Sequence, residues 1–347
     1  MNNRPYNLCL LGFGNVNRTL LHLLREREDE LRANHGISWR ITGVATRRLG
    51  WIASPDGLDP MILSEPGAPR WNLLPHVSPP PGDVRQWLHA ARADVLFEAT
   101  SLNARDGQPA IDHIRAALDA GAHAITANKG PVVHAFEELR DLAKQRGKSF
   151  RFESTVMDGV PLFSLFESGL PAVRVKGFHG VLNSTTNVIL TGIEEGLSFE
   201  NSLKRAQAIG VAETDPTDDI EGWDAAVKIA ALARVVMNAP LRVSEVQRES
   251  LSLLTAAQVR DARKAGKPYK MVCRATRNGN GNVSASVRLE QVPLTDPMAH
   301  VAGTSSIVCF ETDIFPGLTI TEIDPGLEAT SYGMLADFIR AVRHDRL

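Results

Sequence analysis

Across its first 150 residues the chain alternates short apolar runs with segments of helical periodicity, and this most constrains its fold. Residues 6–11 read as a buried strand, after which Val16, Leu20, Leu23 and Leu24 recur at helical spacing. Residues 41–45, 94–99 and 123–126 read as further strands; between the last two, Ile111, Ile114 and Leu118 line one helical face that Gly121 stops. Such alternation predicts an α/β fold, a doubly wound parallel sheet with helices on both faces. Residues 51–82, rich in Pro and Gly with Pro79-Pro80-Pro81 near the end, read as a surface excursion.

Beyond Gly147 the texture changes. Residues 149–153, 173–177 and 283–289 read as strands, 225–237 as a strongly apolar helix, and 306–311 with 318–323 as strands closing a second sheet. Residues 332–342 carry helical periodicity through Met334, Leu335, Phe338 and Ile339, which suits packing back onto the first domain. The expected organisation is a nucleotide-binding domain, 1–149 with 324–347, and an inserted α+β domain, 150–323. A length of 347 residues suits two domains. With 38 Lys+Arg against 40 Asp+Glu, net −2, there is no basic excess to draw nucleic acid or an anionic membrane. No apolar run approaches the ~18 residues of a membrane span, and the N-terminus lacks a signal peptide's pattern. Cys9, Cys273 and Cys309 are widely spaced among apolar neighbours, which reads as buried small hydrophobes and points to a reducing cytoplasm.

Gly12-Phe13-Gly14-Asn15-Val16-Asn17 follows a predicted strand and opens a predicted helix. In a dinucleotide-binding turn the first Gly permits the tight bend, the second lets the backbone approach a pyrophosphate, and the helix N-terminus supplies N–H groups. The third glycine position holds Asn17. The alternative is a tight strand-to-helix turn with no ligand. At the end of the second strand Thr46-Arg47-Arg48 stands where an NAD site usually has Asp or Glu; two arginines suit a 2′-phosphate, favouring NADP over NAD, unless they form only a solvated basic loop. Asn128-Lys129 lies at the carboxyl edge of the predicted sheet, where open α/β folds place ligands.

The most informative segment is residues 210–228, in which six acidic side chains run up to and into an apolar helix. Asp224 and Lys228 stand four apart on one face. On an exposed helix this is an ion pair worth about 0.3 to 0.5 kcal/mol. On a helix apolar nearly all round it is a lysine at the mouth of a buried element, where burial can tune it for proton transfer. A metal site built from Glu213, Asp215, Asp218 and Asp219 ranks below these readings.

With these pieces in place the chain resembles homoserine dehydrogenase. The matching segments run in order: LLGFGNV at 10–16, TANKGP at 126–131, STVMDGVP at 154–161, GVLNSTTNVILT at 180–191, AETDPTDDIEGWDAAVK at 212–228, GKPYKMV at 266–272 and ETDIFPGLT at 311–319. The resemblance implies a Rossmann-type domain and NAD(P)-dependent interconversion of L-aspartate 4-semialdehyde and L-homoserine, on the way to threonine, isoleucine and methionine. By motif match Lys228 is the proton donor, Asp224 its orienting partner, and Lys129 a second lysine near the substrate. Glu213, Asp219, Ser184 and Thr185 are implied substrate contacts. Gly12, Phe13, Gly14, Asn15, Val16, Arg47, Arg48, Thr100 and Lys129 are the expected cofactor contacts. The family also binds a monovalent cation, usually sodium, which maps onto Glu153, Val156, Asp158 and Gly159.

A homodimer joined through the second domain is implied too. The chain departs from pattern at Asn17, at Val211 where tyrosine is frequent, at Met157-Asp158 where small residues are common, and across 324–331, which replaces a glycine-rich stretch. The rivals are a sister oxidoreductase acting on a related amino-acid semialdehyde or hydroxy acid, and a non-catalytic NADP-binding sensor. The motifs reach close to Leu347, so the expectation is no separate amino-acid-sensing domain and no threonine inhibition through one.

Overall fold

The computed structural model describes residues 4–48, 50–64, 74, 77 and 81–343. The chain forms two compact units, residues 1–161 with 326–347, and residues 162–325.

The first unit is built on a six-stranded sheet of β1 (Tyr6–Leu11), β2 (Trp39–Thr46), β3 (Gly50–Ala53), β4 (Val95–Glu98), β5 (His123–Thr126) and β6 (Phe150–Arg151), in spatial order β3-β2-β1-β4-β5-β6. All neighbouring pairs are parallel except β2 with β3. Leu8, Cys9 and Leu10 of β1 are fully buried, the continuous apolar run that a central parallel strand requires. The chain leaves β1 toward β2 on one side and later enters β4 on the other, so a topological switch point lies at the carboxyl ends of β1 and β4.

The C-terminal helix Leu327–Arg343 belongs to this unit: Met334, Leu335, Phe338 and Val342 share a core with Leu8, Leu10, Leu20 and Leu24. Phe338 meets Tyr6 and Phe97 edge-on at 5.9 and 5.7 Å between ring centroids. Burying a side chain of this kind stabilises by about 2 to 3 kcal/mol. The expected boundary at 149 moves to 161, because the turn that follows β6 is bonded to this same helix. Ser154 Oγ donates to Thr330 O at 2.7 Å and Thr330 Oγ1 to Asp158 Oδ1 at 2.6 Å.

The second unit carries a mixed sheet of β7 (Val175–Val181), β8 (Gln247–Arg248), β9 (Tyr269–Arg277), β10 (Val283–Gln291), β11 (Ser306–Thr312) and β12 (Leu318–Glu322), in order β12-β11-β7-β9-β10-β8. All its pairs are antiparallel except β10 with β8. The helix Trp223–Val236 packs on β9 and β10 through a face rich in alanine, with Ala225, Ala226, Ala230, Ala231 and Ala233 all buried.

Several expected elements shift. The strand expected over 149–153 ends at Arg151, because the Glu153 N–H donates to Asp337 Oδ2 and the chain turns into a short 3-10 segment. The strand expected over 173–177 runs over 175–181. Strand β9 was hidden by the charges of Lys270 and Arg274, yet Lys270 is buried in the sheet. Of the excursion expected over 51–82, the start is strand β3, a short helix spans Pro60–Leu63, and residues 65–73, 75–76 and 78–80 lie outside the described residues. Residues 344–347 of the expected C-terminal segment lie outside them as well. Among the described residues no helix is long and apolar enough to cross a membrane.

Candidate active site

At the switch point of the first unit, Gly12 has φ +78°, and a Cβ there would sit 2.5 Å from Ala99 O, so both the turn and the close approach of the β1 and β4 ends require glycine. A Cβ on Gly14 would meet nothing within 4 Å, and Gly14 caps the helix Asn15–Glu26 without any side-chain hydrogen bond. Asn15 and Val16 thus stand in the first turn of this helix, at its positive end, beside space left open at Gly14, and such a helix start suits a pyrophosphate. Asn17 is buried and ties the turn from below, its Nδ2 donating to Leu11 O at 3.0 Å and Gly12 O at 3.2 Å. Phe13 is buried under the Arg18 guanidinium, 4.9 Å from its ring centroid. The donor set and the open cradle fit a dinucleotide.

Beside the turn a second network shapes the loops after β4 and β5. Glu98 is fully buried; burial raises its carboxyl, while bonds from Thr100 and Thr126 act in the other direction. It accepts from Thr100 N at 2.9 Å, from the Thr100 hydroxyl, and from Thr126 Oγ1 at 2.6 Å. Asn128 donates through Nδ2 to Thr100 O and Ser101 O, each at 3.2 Å, and caps the helix Lys129–Gln145. Half-buried Lys129 is thereby presented on the first helical turn. Arg47 and Arg48 are exposed in the turn after β2.

In the second unit, Lys228 Nζ lies 3.1 Å from Asp224 Oδ2 and donates to Leu182 O at 2.7 Å; the two charged side chains are only 17% and 19% exposed. Asn183 Nδ2 donates to Asp219 Oδ1 at 2.6 Å and to Asp224 Oδ2 at 3.0 Å. Burial, and then the neighbouring Asp224 charge, raise the Asp219 carboxyl above the ordinary carboxylate range; Asn183, Thr185 and Lys228 hold it back. Thr185 also donates to Val211 O at 2.8 Å, and Ser184 to Thr304 O at 3.2 Å. Glu213 is exposed outside this bonded group, its backbone carbonyl accepting from Gln207 Nε2. The rival metal site does not form. Asp215 spends its carboxylate on Thr217, and among the described residues no three His, Cys, Asp or Glu side chains are placed to hold an ion.

The family model for homoserine dehydrogenase matches residues 161–339, and that for the homoserine dehydrogenase NAD binding domain matches residues 12–153. The chain belongs to the homoserine dehydrogenase family. The NAD(+)-dependent homoserine dehydrogenase of Pseudomonas canavaninivorans is 34% identical over 339 residues, covering 96% of this chain and 95% of that protein. The homoserine dehydrogenase of Methanocaldococcus jannaschii is 32% identical over 346 residues, covering 96% and 97%. Among solved structures, the homoserine dehydrogenase of Thiobacillus denitrificans superposes with a TM-score of 0.82 at 28% identity, covering 99% of this chain and 76% of that one. The chain is an oxidoreductase acting on a CH–OH group with NAD(P), and its first unit carries the NAD-binding domain.

Of the residues at which the resemblance implies a cation, Glu153, Asp158 and Gly159 each lie against the C-terminal helix. Met157 and Asp158 do take left-handed backbone angles, φ +52° and +49°, despite their side chains. The Glu153 carboxylate is paired: Arg340 Nη2 is 2.8 Å from Glu153 Oε2 and 2.7 Å from Asp337 Oδ1, both carboxylates being almost fully buried. Asp158 accepts from Thr330, and a Cβ on Gly159 would fall 2.2 Å from Ala329 O. The C-terminal helix is bonded to the turn that carries them.

Sequence reasoning passed over Asn183, Glu98, Asp337 and Arg340. Only Asn183 announced itself locally, as an Asn followed by Ser-Thr-Thr before the apolar run that starts at Val188, which is a helix-start signature.

Proposed function

We propose that Lys228 is the general acid of homoserine formation and the general base of the reverse reaction. The observation that carries this is the Lys228–Asp224 pair, 3.1 Å apart, seated on a buried helix and anchored to Leu182 O. Asp224 keeps the ammonium charged and directed, so that Nζ can release a proton to the aldehyde oxygen as negative charge develops there. When bound, the nicotinamide supplies or takes the hydride. In the oxidative direction Lys228, once neutral, takes the hydroxyl proton. Asp219 and Glu213 offer negative charge to the substrate ammonium, and Ser184 and Thr185 line that end. Lys129 offers positive charge to the carboxylate or a share of the proton traffic. An amino-acid zwitterion calls for both signs, and these residues carry them.

Gly12, Phe13, Gly14, Asn15, Val16 and Thr100 frame the dinucleotide, and Arg47 with Arg48 supports a preference for NADP over NAD. The enzyme works as a homodimer joined through its second unit, in the cytoplasm. The deciding assay is consumption of NADPH and of NADH with L-aspartate 4-semialdehyde. Turnover is expected with either and faster with NADPH; background rates with both cofactors would sink the reading. Changing Arg47 and Arg48 together to Asp is expected to weaken NADPH by about tenfold or more while sparing NADH. Equal losses would remove the 2′-phosphate assignment.

A further inference from the structure

We propose that Asn183 is a positioning residue that holds the Asp219 and Asp224 carboxylates together as one anionic pair, aligned on Lys228. This rests on the role given to Lys228 above and concerns a residue to which nothing in that role assigns a part. The orientation of the Asn183 amide follows from its partners. Its Oδ1 accepts from Thr186 N at 2.8 Å and Thr186 Oγ1 at 2.9 Å, capping the helix Ser184–Glu194. A backbone N–H cannot accept, so the NH2 group must face the other way. There it meets Asp219 Oδ1 at 2.6 Å and Asp224 Oδ2 at 3.0 Å, both from a single nitrogen. Asn183 is 3% exposed, so water has little access to replace these bonds.

The two residues that follow β7 thus touch every charged group of the cluster. Leu182 supplies its carbonyl to Lys228, and Asn183 supplies its amide to both aspartates. Two carboxylates sharing one donor repel each other, and each favours a proton on its neighbour. The groups facing Asp219 are Asp224 and Lys228 from the helix Trp223–Val236, and Asn183 and Thr185 at the start of the helix Ser184–Glu194. Of the neutral donors, only Asn183 bridges both acids. Its bond favours the charged form of Asp219, which a substrate ammonium needs, and stops Asp224 from turning away from Lys228.

The test separates capping from positioning. Ser and Asp are both good helix caps, so Asn183→Ser and Asn183→Asp keep the cap oxygen while losing the bridging NH2. The proposal expects a melting temperature close to wild type for Asn183→Ser, and a lower one for Asn183→Asp, which sets a third buried carboxylate against Asp219 and Asp224. It expects the acid limb of kcat/KM for the semialdehyde to move up by about half a pH unit or more in Asn183→Ser, and further in Asn183→Asp. The sign follows from removing bonds that favour the charged form: Asp219 then keeps its proton to higher pH. KM for the semialdehyde is expected to rise by about tenfold, with cofactor KM little changed. Folded variants with a wild-type pH profile and wild-type semialdehyde KM would overturn the proposal, as would a fall in melting temperature accompanied by an unmoved profile. Wild-type turnover is the control: its absence sinks the parent reading, whereas turnover with unmoved variants sinks this one.

Discussion

Each unit of this enzyme buries a cluster of two carboxylates and one cation, and the two clusters are built for different ends. In the first unit Glu153 and Asp337 share Arg340; in the second Asp219 and Asp224 share the amide of Asn183, and Asp224 pairs with Lys228. The acids of the first cluster are 3% and 2% exposed, and burial pushes Asp337 up to about 6. Its cation is a guanidinium, which stays charged at any working pH and meets both carboxylates through Nη2. The second cluster is more open, and its cation is an ammonium on a flexible stem, able to give up a proton. On the proposed role of Lys228, the same charge count serves a clasp in one place and proton transfer in the other, and the choice of Arg or Lys separates them.

The largest test exchanges that choice. Lys228→Arg keeps the positive charge beside Asp224 but removes a donor that can deprotonate, so kcat is expected to fall by about 100-fold or more with the melting temperature nearly unchanged. A rate within about tenfold of wild type would show that charge alone suffices and would break the comparison. The converse variant is Arg340→Leu. Stranding two buried carboxylates should cost about 3 to 5 kcal/mol of stability, read by chemical denaturation, while the folded fraction keeps its kcat. Unchanged stability would mean that the clasp carries no load.

What the sequence made legible follows the range of the interactions. The core strands of the first sheet are short and mostly buried, with Leu8 to Leu11 in β1 and Ala124-Ile125 in β5 as their apolar centres, so β1 and β5 stand out in single windows. The Lys228–Asp224 pair is local, four residues apart on a helix that is otherwise apolar. Glu153 and Arg340 meet across 187 positions, which no periodicity records. Asn183 is intermediate: its cap is local, but its two carboxylates lie 36 and 41 residues further along. Strand β9 escaped for a different reason, because Lys270 is buried there on Asn187 Oδ1 and Val301 O, at 3.2 and 2.5 Å, so a charge stands in a core position.

The smallest expected effect is a null result that sharpens the comparison. The resemblance implies a monovalent cation at Glu153, Val156, Asp158 and Gly159, where it would offset the Glu153 charge and brace the turn. Here Arg340, tethered to the chain, offsets part of the charge that Glu153 and Asp337 carry, and Thr330, Ala329 and Gly333 lie against the turn from the same helix. An exchangeable ion then has little to add. Initial rates in sodium, potassium and choline chloride at one ionic strength should agree within about twofold, since general screening is held constant. The Arg340→Leu chain supplies the contrast: with the guanidinium gone, sodium or potassium should raise its melting temperature more than choline does, because two buried carboxylates then need a counter-charge. Several-fold activation of the wild-type enzyme by sodium alone would show that Arg340 clasps the turn without taking the ion's place.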